Sequence, residues 1–359
     1  MPSRRKLLVA GGTLAAAGAA AYMLTRGPGY DAATATLWSP RDAATFDGLV
    51  HYASLAANSH NAQAWRFAPT GGGVAILPDM TRALPVADPD HHHLFASLGC
   101  AAENLMLAAA AAGRSSALAY RPEEGGRIEI ALGQNGEAGP LFEAILERQS
   151  TRSTYDGRPV PTADLAALEA AARVDGAEAM LITDAASIAR VLDLILAANA
   201  VQVADPAFAA ELKSWLRFNA RAAIETGDGL YAACAGNPPL PSFLGGFIFN
   251  RLFTVASEND RYAKQVRSSA GLAVIHSAQD DPRHWVQAGR SCQRFALQAA
   301  ALGIRQAHVN QAVEVVSIRT QLQALLGLGN RRPDMVLRFG YAPPMPRSMR
   351  RPAAEVIVS

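Results

Sequence analysis

The chain of 359 residues is poor in cysteine, in charged side chains (18%) and in aromatic side chains (7%). Its three cysteines form no Cys-x-x-Cys pair, so neither a structural zinc site nor a thioredoxin-like dithiol motif is indicated. The 33 basic and 31 acidic residues leave a formal net charge of +2, which gives no reason to expect a nucleic-acid partner. The sequence also lacks a Gly-rich phosphate loop, a Ser-His-Asp set and acids paired at a readable spacing.

Apolar residues, in contrast, make up 50% of the chain, and many of them are alanine. Alanine favours helix and contributes little burial per residue, so the composition predicts a helix-rich α+β protein of about two domains' length. Cys100 and Cys292 fall within alanine-rich helical patterns, where a thiol is usually a small core residue. The sequence leaves open a disulfide through Cys234.

The N-terminus has the design of an export signal. Arg4 and Arg5 precede an uncharged, modestly apolar stretch from Leu7 to Thr25, which predicts a twin-arginine signal over residues 1–30 and a periplasmic or exported protein. A Sec signal and an ordinary N-terminal anchor are the alternatives. The small residues 19–21 suit cleavage, whereas the Tyr-Met-Leu at 22–24 leaves an uncleaved membrane anchor open.

Hydrophobic periodicity and turn residues predict the order of elements along the mature chain. The predicted helices cover 39–57, 88–113, 141–147, 162–172, a segment capped by Asp184, 281–302 and a segment ending at Leu326. The predicted strands cover 65–67, 74–77, 117–120, 127–131, 179–183, 273–276, 304–308, 335–341 and 355–358. The stretch 237–246, with three prolines and two glycines, is predicted to be a loop.

Two of these helices repeat one pattern 190 residues apart without a gap. The segment that starts at Gly99 and ends at Gly113 matches the segment that starts at Gly289 and ends at Gly303, and an acidic residue with proline precedes each. Composition alone could make two alanine-rich helices look alike. A duplicated unit would instead predict a two-lobed, pseudo-dimeric chain.

Three polar motifs could carry chemistry. The first, at 56–67, places Asn61 and Gln63 between a helix end and a strand, where their amides suit a flat ring or cap local backbone groups. The second, Arg148-Gln149-Ser150-Thr151-Arg152, could grip a phosphate if helix continues through 152, or could be a solvated basic turn. The third runs from Arg338 through Gly340-Tyr341 to Arg350-Arg351-Pro352 and could be no more than a charged tail.

Taken in this order, the motifs resemble those of nitroreductase-family flavoproteins. The first is similar to the family's Pro-Ser-Ser-His-Asn-Thr-Gln-Pro-Trp segment, the second to its Arg-x-Ser-x-Arg/Lys segment and the third to its closing Gly-Tyr…Arg-Arg-Pro segment. Over residues 40–359 the chain is similar to the duplicated, Acg-like branch of that family. The sequence departs from the pattern at Ala57, Asn58 and Ala64, which makes the first segment less rigid.

The resemblance implies a nitroreductase-like fold, internally duplicated as an intramolecular pseudo-dimer, that binds FMN. The implied FMN-binding residues are Arg148, Ser150 and Arg152 at the phosphate and the pyrimidine side of the flavin, Ser59, Asn61 and Gln63 along the isoalloxazine, and Arg350 and Arg351 near the phosphate. Residues 40–147 would form the first half and 148–359 the second. Each of the first two motifs occurs once, so we predict one FMN per chain.

The resemblance also implies that the flavin carries the chemistry, so we predict no catalytic side chain and no metal site. Three consecutive histidines at 91–93 point in different directions on a helix and are expected to be solvated or capping residues. The leading prediction is an FMN-dependent oxidoreductase acting on a small acceptor such as a nitroaromatic or a quinone. The alternative is an exported protein that sequesters flavin without turnover, with 237–249 as its lid. The expected chain is a monomer or pseudo-dimer that meets the twin-arginine translocation machinery.

Overall fold

The structure of the protein is a computed structural model that describes residues 29–358. The predicted signal at 1–30 lies almost wholly outside the described residues, so it stays a prediction. Two described helices, 92–111 and 185–204, are long and apolar enough to cross a membrane. The first is mostly buried inside the protein, as a core helix of a soluble domain would be, so this property is weak evidence for a span.

The described residues form ten strands in three sheets. The strands are β1 Trp65–Thr70, β2 Gly73–Pro78, β3 Ser116–Arg121, β4 Arg127–Leu132, β5 Ala177–Ile182, β6 Leu216–Arg217, β7 Leu230–Tyr231, β8 Gly271–Ser277, β9 Arg305–His308 and β10 Arg332–Gly340. The order is β1-β2-β4-β3 in the first sheet and β5-β8-β10-β9 in the second, and both sheets are antiparallel throughout. Strands β6 and β7 form a short parallel pair.

Fourteen α-helices accompany these strands within 29–358. They are α1 Tyr30–Leu37, α2 Phe46–Ser54, α3 His92–Ala111, α4 Ala144–Glu147, α5 Thr162–Ala172, α6 Ala185–Ala204, α7 Pro206–Ser214, α8 Ala220–Thr226, α9 Ser242–Leu252, α10 Val255–Arg267, α11 Pro282–Ala301, α12 Gln311–Glu314, α13 Val316–Leu325 and α14 Ala353–Val356. The 20-residue helices α3 and α11 lie in the core. Each connects the second strand of its sheet to the third, counted in chain order.

The two large sheets therefore share one topology. Each has two strands, then a 20-residue helix, then two strands, with the last strand placed in the interior of the sheet. In the second sheet every residue of β8 and β10 is buried, because alternate side chains pack against α11 on one face and against α6 on the other. The first sheet is covered on one face and leaves several residues of β1 exposed.

Helices α3 and α11 cross at the two glycines that begin the sequence repeat. A Cβ on Gly99 would lie 2.0 Å from the Val286 carbonyl oxygen, and a Cβ on Gly289 would lie 1.9 Å from the Ala96 carbonyl oxygen. Position 96 stands to 286 as 99 stands to 289, so the two contacts are reciprocal. This is the pattern of a two-fold contact, in which residue i meets j and the equivalent of j meets the equivalent of i.

The polar contacts of the same crossing repeat the pattern. Arg294 Nη1 donates to Glu103 Oε1 at 2.7 Å, and Gln293 Nε2 donates to Asn104 Oδ1 at 2.7 Å. The two pairs are equivalent, because position 294 corresponds to 104 and position 103 to 293 when the repeat of 190 residues is applied. Glu103 is buried, and it also accepts from Arg290 Nε at 2.9 Å, so the carboxylate is neutralised by two arginines of the other helix.

The predicted elements are mostly confirmed, with five corrections. The helix predicted over 39–57 is confined to α2, because the Thr45 side chain caps its start by accepting from Gly48 N. The helix predicted to end at Leu326 is two short helices separated by the extended Val315. The helix predicted over 141–147 forms only at α4.

The fourth and fifth corrections concern the chain after 237 and the C-terminal tail. Of the predicted loop 237–246, the residues from Ser242 onward belong to helix α9. The glycine at 245 allows close packing against the Phe218 ring, since a Cβ at that position would come within 2.5 Å of the ring. The strand predicted at 355–358 is helix α14 followed by one bridge from Ile357 to Phe67. The tail of the second predicted half thus packs on the first sheet, so the halves are interleaved at their ends.

Candidate functional site

The first motif adopts a strained backbone. His60, Asn61 and Gln63 have φ values of 49°, 54° and 54°, a left-handed region that side chains other than glycine seldom occupy. Each such residue costs about 1–3 kcal/mol, and strain of this kind is concentrated at functional sites. The turn is held in part by the Asn58 Oδ1 atom, which accepts from Gln63 N at 2.9 Å. Sequence patterns alone do not reveal this conformation.

The amides of the first motif bond to the protein. Asn61 Nδ2 donates to the carbonyl oxygens of Gly229 and Met349 at 3.0 and 3.1 Å, and Asn61 Oδ1 accepts from Arg350 Nη1 at 2.9 Å. Gln63 is fully buried; its Nε2 donates to Gly227 O at 2.9 Å, and its Oε1 accepts from Arg351 N at 2.8 Å. The two amides therefore join the motif to the 227–229 and 349–351 segments. Their predicted role along a flavin ring stays a prediction.

The arginine motif is extended. Helix α4 ends at Glu147, Arg148 has an extended backbone, and Ser150 pairs with Gln306 in an isolated parallel bridge. The expectation that helix continues through Arg152 is therefore wrong. The spacing of four still puts positions 148 and 152 on one side, because side chains alternate along an extended chain.

Arg338 and Gln265 fix the carbonyl groups of this extended segment. Arg338 is fully buried, and its Nη2 donates to the Thr151 and Ser153 carbonyls at 3.0 and 2.7 Å. Gln265 Nε2 donates to Arg152 O at 2.6 Å. These three carbonyls are therefore taken by Arg338 and Gln265 and are not available to the Arg152 side chain. The sequence marked Arg338 as part of a motif but did not assign it this positioning role.

Arg350 and Arg148 both bind the C-terminal end of helix α2. Arg350 uses all five of its donors on protein oxygens: Ser54 O, Leu55 O, Ala56 O, Asn61 Oδ1 and Met349 O. Arg148 Nη2 donates to Leu55 O at 2.9 Å. Burial lowers the pKa of Arg148 to about 10 and that of Arg350 to about 9. Cations suit a helix C-terminus, so Arg350 clamps the helix and retains no donor for a ligand.

The positive charges of three arginines in this region have no negatively charged partner in the part of the chain that the structure describes. Within the described residues no carboxylate lies within ion-pair distance of Arg148, Arg152 or Arg350, and the Arg152 side chain makes no hydrogen bond. The Arg148 Nε, His60 Nδ1 and Ser153 Oγ atoms are buried without a partner. Buried charge that lacks a partner is costly, so this group of residues fits an anion. We call Arg148, Arg152, Ser153 and His60 the anion cluster.

Arg351 and Ser59 have other partners, and the predicted role of Ser150 stays a prediction. Arg351 lies between two carboxylates, 3.9 Å from Asp79 and 3.6 Å from Glu355, so its charge is already balanced. Ser59 N donates to Ser97 Oγ at 3.3 Å. Of the eight residues predicted from the sequence, Arg350 bonds Asn61 and shares the Leu55 carbonyl with Arg148, and the Arg351 backbone bonds Gln63.

Two of the three histidines are not solvated, which corrects the sequence-based expectation for them, whereas His91 is partly exposed and stands at the N-cap position of α3. His92 and His93 are buried; His92 Nε2 lies 2.8 Å from Asp334 Oδ1, and His93 Nε2 lies 3.5 Å from Glu314 Oε1. Burial lowers the pKa of both imidazoles and raises that of Asp334 to about 7. The two rings nevertheless contact each other edge to face, with centroids 4.6 Å apart. Within 29–358 no three His, Cys, Asp or Glu side chains are placed to hold one metal ion.

His60 should make the protein sensitive to acid. Burial, with Arg152 nearby, lowers the pKa of His60 to about 4, so the unfolded chain takes up a proton below about pH 6.5 before the folded chain does. Stability is then lost as the pH falls from about 6.5 to about 4, by about 3 kcal/mol at most. We expect His60→Asn, which tolerates the left-handed backbone, to reduce this acid loss.

Urea unfolding at several pH values measures the difference. His51→Asn is the comparison variant: burial also lowers the pKa of that histidine, so its removal should reduce the acid loss too, but its backbone is helical and it lies outside the anion cluster. Equal pH dependence of the wild type and the His60→Asn variant would contradict the assignment of a buried neutral imidazole at position 60.

Two surface clefts lie elsewhere on the molecule. One, of about 380 Å³, is lined by Tyr155, Arg158 and Tyr341 among others. The other, of about 340 Å³, lies between Pro40 and Phe142. Neither contains a residue that the sequence predicted to bind FMN.

Comparison with known proteins finds relatives along nearly the whole chain, although no family model matches it. A Mycobacterium tuberculosis (strain H37Rv) protein named "Putative NAD(P)H nitroreductase Rv3131" is 27% identical over 335 residues, covering 88% of this chain and 92% of the relative. Another from the same strain, named "Putative NAD(P)H nitroreductase acg", is 24% identical over 327 residues, covering 86% and 93%. The similarity thus extends over both sheets, and the names agree with the resemblance drawn from the motifs.

Solved structures are similar only distantly. A nitroreductase with bound FMN from Desulfitobacterium hafniense is 14% identical with a TM-score of 0.40, and 62% of this chain covers 98% of it. An FMN-dependent nitroreductase from Mycobacterium smegmatis, in complex with NADPH, is 16% identical with a TM-score of 0.37, and 56% of this chain covers 87% of it. Structural similarity at this level is weak.

Proposed function

We propose that the chain is an FMN-dependent oxidoreductase of nitroreductase type, which passes hydride or electrons through bound FMN to a small acceptor. The observation that carries this proposal is the anion cluster: Arg148 and Arg152 lie near enough to repel each other, neither has a carboxylate within ion-pair distance among the described residues, and buried polar atoms of the cluster lack partners. The full-length curated relatives, which bear nitroreductase names, support the same conclusion.

The residues present fit the phosphate end of FMN. Arg152 and the unpaired Nε of Arg148 would bind the phosphate oxygens, because a guanidinium matches phosphate geometry with charge-assisted bonds. Ser153 Oγ could add a hydroxyl donor. FMN, when bound, supplies the hydride chemistry. The chain's own residues bind and orient it: Arg338 and Gln265 hold the segment, and Arg350 holds the turn that includes Asn61.

We infer further that the chain is an intramolecular pseudo-dimer that arose by duplication. The common strand order of the two sheets, the equivalent positions of α3 and α11, and the reciprocal glycine contacts support this inference. Two chains of a symmetric dimer would make the same contacts twice. The anion cluster takes residues from the turn after α2 and from the segment after α4, and this combination occurs once, so the chain would bind one FMN.

The function is tested with purified protein. We expect a yellow protein that releases FMN, and not FAD or riboflavin, on heat denaturation. Anaerobic reduction with NAD(P)H or dithionite, followed by a quinone or a nitroaromatic, should give rapid reoxidation of the flavin. A colourless protein after expression with ample flavin would exclude the proposal.

Exposed aromatic residues on helix α9 support the alternative that the protein sequesters flavin. The predicted lid is a helix whose Phe243 and Phe247 are 82% and 59% exposed, so it presents an uncovered aromatic face. Such a face could close over a bound flavin. A flavin that dithionite cannot reduce in the wild type, but can reduce in a Phe243→Ser/Phe247→Ser variant, would favour sequestration over turnover.

We propose that the chain is exported by the twin-arginine route. The adjacent Arg4 and Arg5 before a weakly apolar stretch motivate this, and a route for folded proteins suits a cofactor bound before export. We expect Arg4→Lys with Arg5→Lys to keep the protein in the cytoplasm, as cell fractionation would show. An Arg26→Lys variant is the matched control. Export of the double variant at the wild-type level would mean a signal of another kind.

A further inference from the structure

We propose that helix α9 docks on the surface of an anionic lipid membrane, the same membrane that holds the uncharged N-terminal stretch of the chain. Phe243, Leu244 and Phe247 of α9 are exposed, and we call these three side chains the α9 face. Exposed apolar patches of this kind mark sites of protein or membrane interaction. The proposal depends on neither FMN nor the route of export.

The opposite side of α9 is already packed against the protein. A Cβ on Gly245 would lie 2.5 Å from the Phe218 ring, so the helix backbone is pressed against that ring. Phe243 and Phe247 each stand two positions from Gly245, which places both about 160° around the helix axis from it. A helix with one packed side and one uncovered aromatic side has the pattern of a helix that lies in a membrane interface.

The charge around the α9 face is positive. Residues 229–257 contain no Asp or Glu, and the Arg251 guanidinium carbon lies 5.7 Å from the centroid of the Phe247 ring. Lys213 Nζ donates to Asn250 Oδ1 at 2.9 Å, and neither cation has a carboxylate within ion-pair distance among the described residues. Cations that flank apolar side chains in this way attract anionic lipid headgroups.

The acidic residues of the helices next to α9 in the chain are already neutralised or bonded. Glu211 on α7 accepts from the backbone nitrogens of Val86 and Ala87, Glu225 pairs with Arg221 on α8, and on α10 Glu258 pairs with Arg261 and Asp260 with Lys264. They therefore do little to offset the positive charge beside the α9 face.

The N-terminal end of the described chain lies close to the start of α9. The Tyr30 ring packs on that of Tyr231, with centroids 4.7 Å apart, in a cluster that also includes Ala220 of α8. Asn219, the residue before Ala220, donates from Nδ2 to Ser242 Oγ at 3.0 Å, at the first residue of α9. The beginning of α8 thus joins residue 30 to the start of α9.

The length of chain before Tyr30 fits a membrane beside α9. The uncharged stretch from Leu7 to Thr25 has 19 residues, and a helix of that length would measure about 28 Å, close to the roughly 30 Å of a hydrocarbon core. From Thr25 to Tyr30 the chain can span at most about 18 Å. In the proposal this stretch is retained in the bilayer, so the surface around Tyr30 is held at the membrane and the α9 face meets the lipid.

The experiment uses spin labels on the full-length chain in vesicles of phosphatidylglycerol and phosphatidylcholine. Phe243→Cys and Phe247→Cys carry the label in turn, and Val316→Cys is the matched control, because Val316 is equally apolar and exposed but lies on α13. The three native cysteines are buried, so the wild type gives the labelling background. We expect labels at 243 and 247 to be more accessible to oxygen, which dissolves in hydrocarbon, than to a water-soluble nickel chelate, and the order to be reversed at 316.

Two results would overturn the proposal. Labels at 243 and 247 that are as accessible to nickel as the label at 316 would show that the α9 face lies in water. Labels shielded from both reagents would show that protein covers the face, either by closure over a flavin or in a second copy of the chain.

The role of charge is tested by Lys213→Gln with Arg251→Gln. We expect this double variant to lower the preference for oxygen at 247 in vesicles that contain phosphatidylglycerol, to the value that the unmodified cations give in pure phosphatidylcholine. An unchanged preference would remove the two cations from the proposal.

Discussion

Replacement of Arg152 with alanine is expected to weaken FMN binding about ten- to a hundredfold and to leave riboflavin binding almost unchanged. Arg152 lies in the anion cluster with no carboxylate and no hydrogen bond to its side chain within the described residues. One charge-assisted hydrogen bond is worth about 1.5–3 kcal/mol, and about 1.4 kcal/mol corresponds to a factor of ten in affinity. Riboflavin has no phosphate, so it does not use this contact.

The measurement is a titration of apoprotein with both ligands, followed by flavin fluorescence. Arg158→Ala is the matched control: it lies on the same segment, is exposed, and pairs with Asp156, so neither affinity should change. Asn61→Ala should weaken both ligands alike, because Asn61 supports the turn through Arg350 and Gly229. Equal losses of FMN and riboflavin affinity in Arg152→Ala would show that the residue acts on the ring or on folding, and that the phosphate is placed wrongly.

Alanine at Gly99 or Gly289 is expected to lower the free energy of unfolding by about 3 kcal/mol, the upper part of the range for overpacking a core. Each added Cβ would come within 2.0 Å of a backbone carbonyl oxygen on the facing helix, and a backbone cannot move aside as a flexible side chain can. The sign is unusual, because alanine in place of a helical glycine ordinarily stabilises a helix by about 1 kcal/mol. A loss of this size is a large part of the 5–15 kcal/mol typical of a folded domain.

The two substitutions should not add. Once the helices have separated to make room for one added Cβ, part of the room for the second is already present. The double variant should therefore lose less free energy of unfolding than the sum of the two single losses. Urea unfolding measures all three. Gly246→Ala is the control, because its Cβ would meet only the flexible Lys213 side chain at 3.4 Å and the change should be neutral or stabilising. If Gly99→Ala or Gly289→Ala matched that control, the close crossing would be incorrect.

Local patterns predicted much of the element order, because the deciding interactions lie within a few residues. The Asp184 side chain caps α6 by accepting from Ser187 N, as the sequence predicted, and the glycines at 71–73 lie at the turn between β1 and β2. Helix α5 begins and ends at the predicted residues, Thr162 and Ala172. Some errors lie where a distant contact decides the structure: the glycines of α9 predict a loop, yet one of them packs against the Phe218 ring. Others lie where a local signal is outweighed in the pattern: the β-branched tail predicts a strand, yet Pro352 starts a helical turn.

The sequence by itself also determined which residues are available for chemistry: the Asn-x-Gln turn, the arginine segment and the repeated helices are all readable as patterns, and their order carries the family resemblance. Tertiary structure alone decided how these residues are used. Arg350 resembles a phosphate ligand in the sequence, yet three carbonyls at the C-terminal end of α2, the Asn61 amide oxygen and the Met349 carbonyl take all its donors. The Arg152 side chain, in contrast, makes no hydrogen bond within the described residues. A guanidinium has only five donors. Which oxygens lie within hydrogen-bond distance of them depends on how segments hundreds of residues apart in the chain pack together.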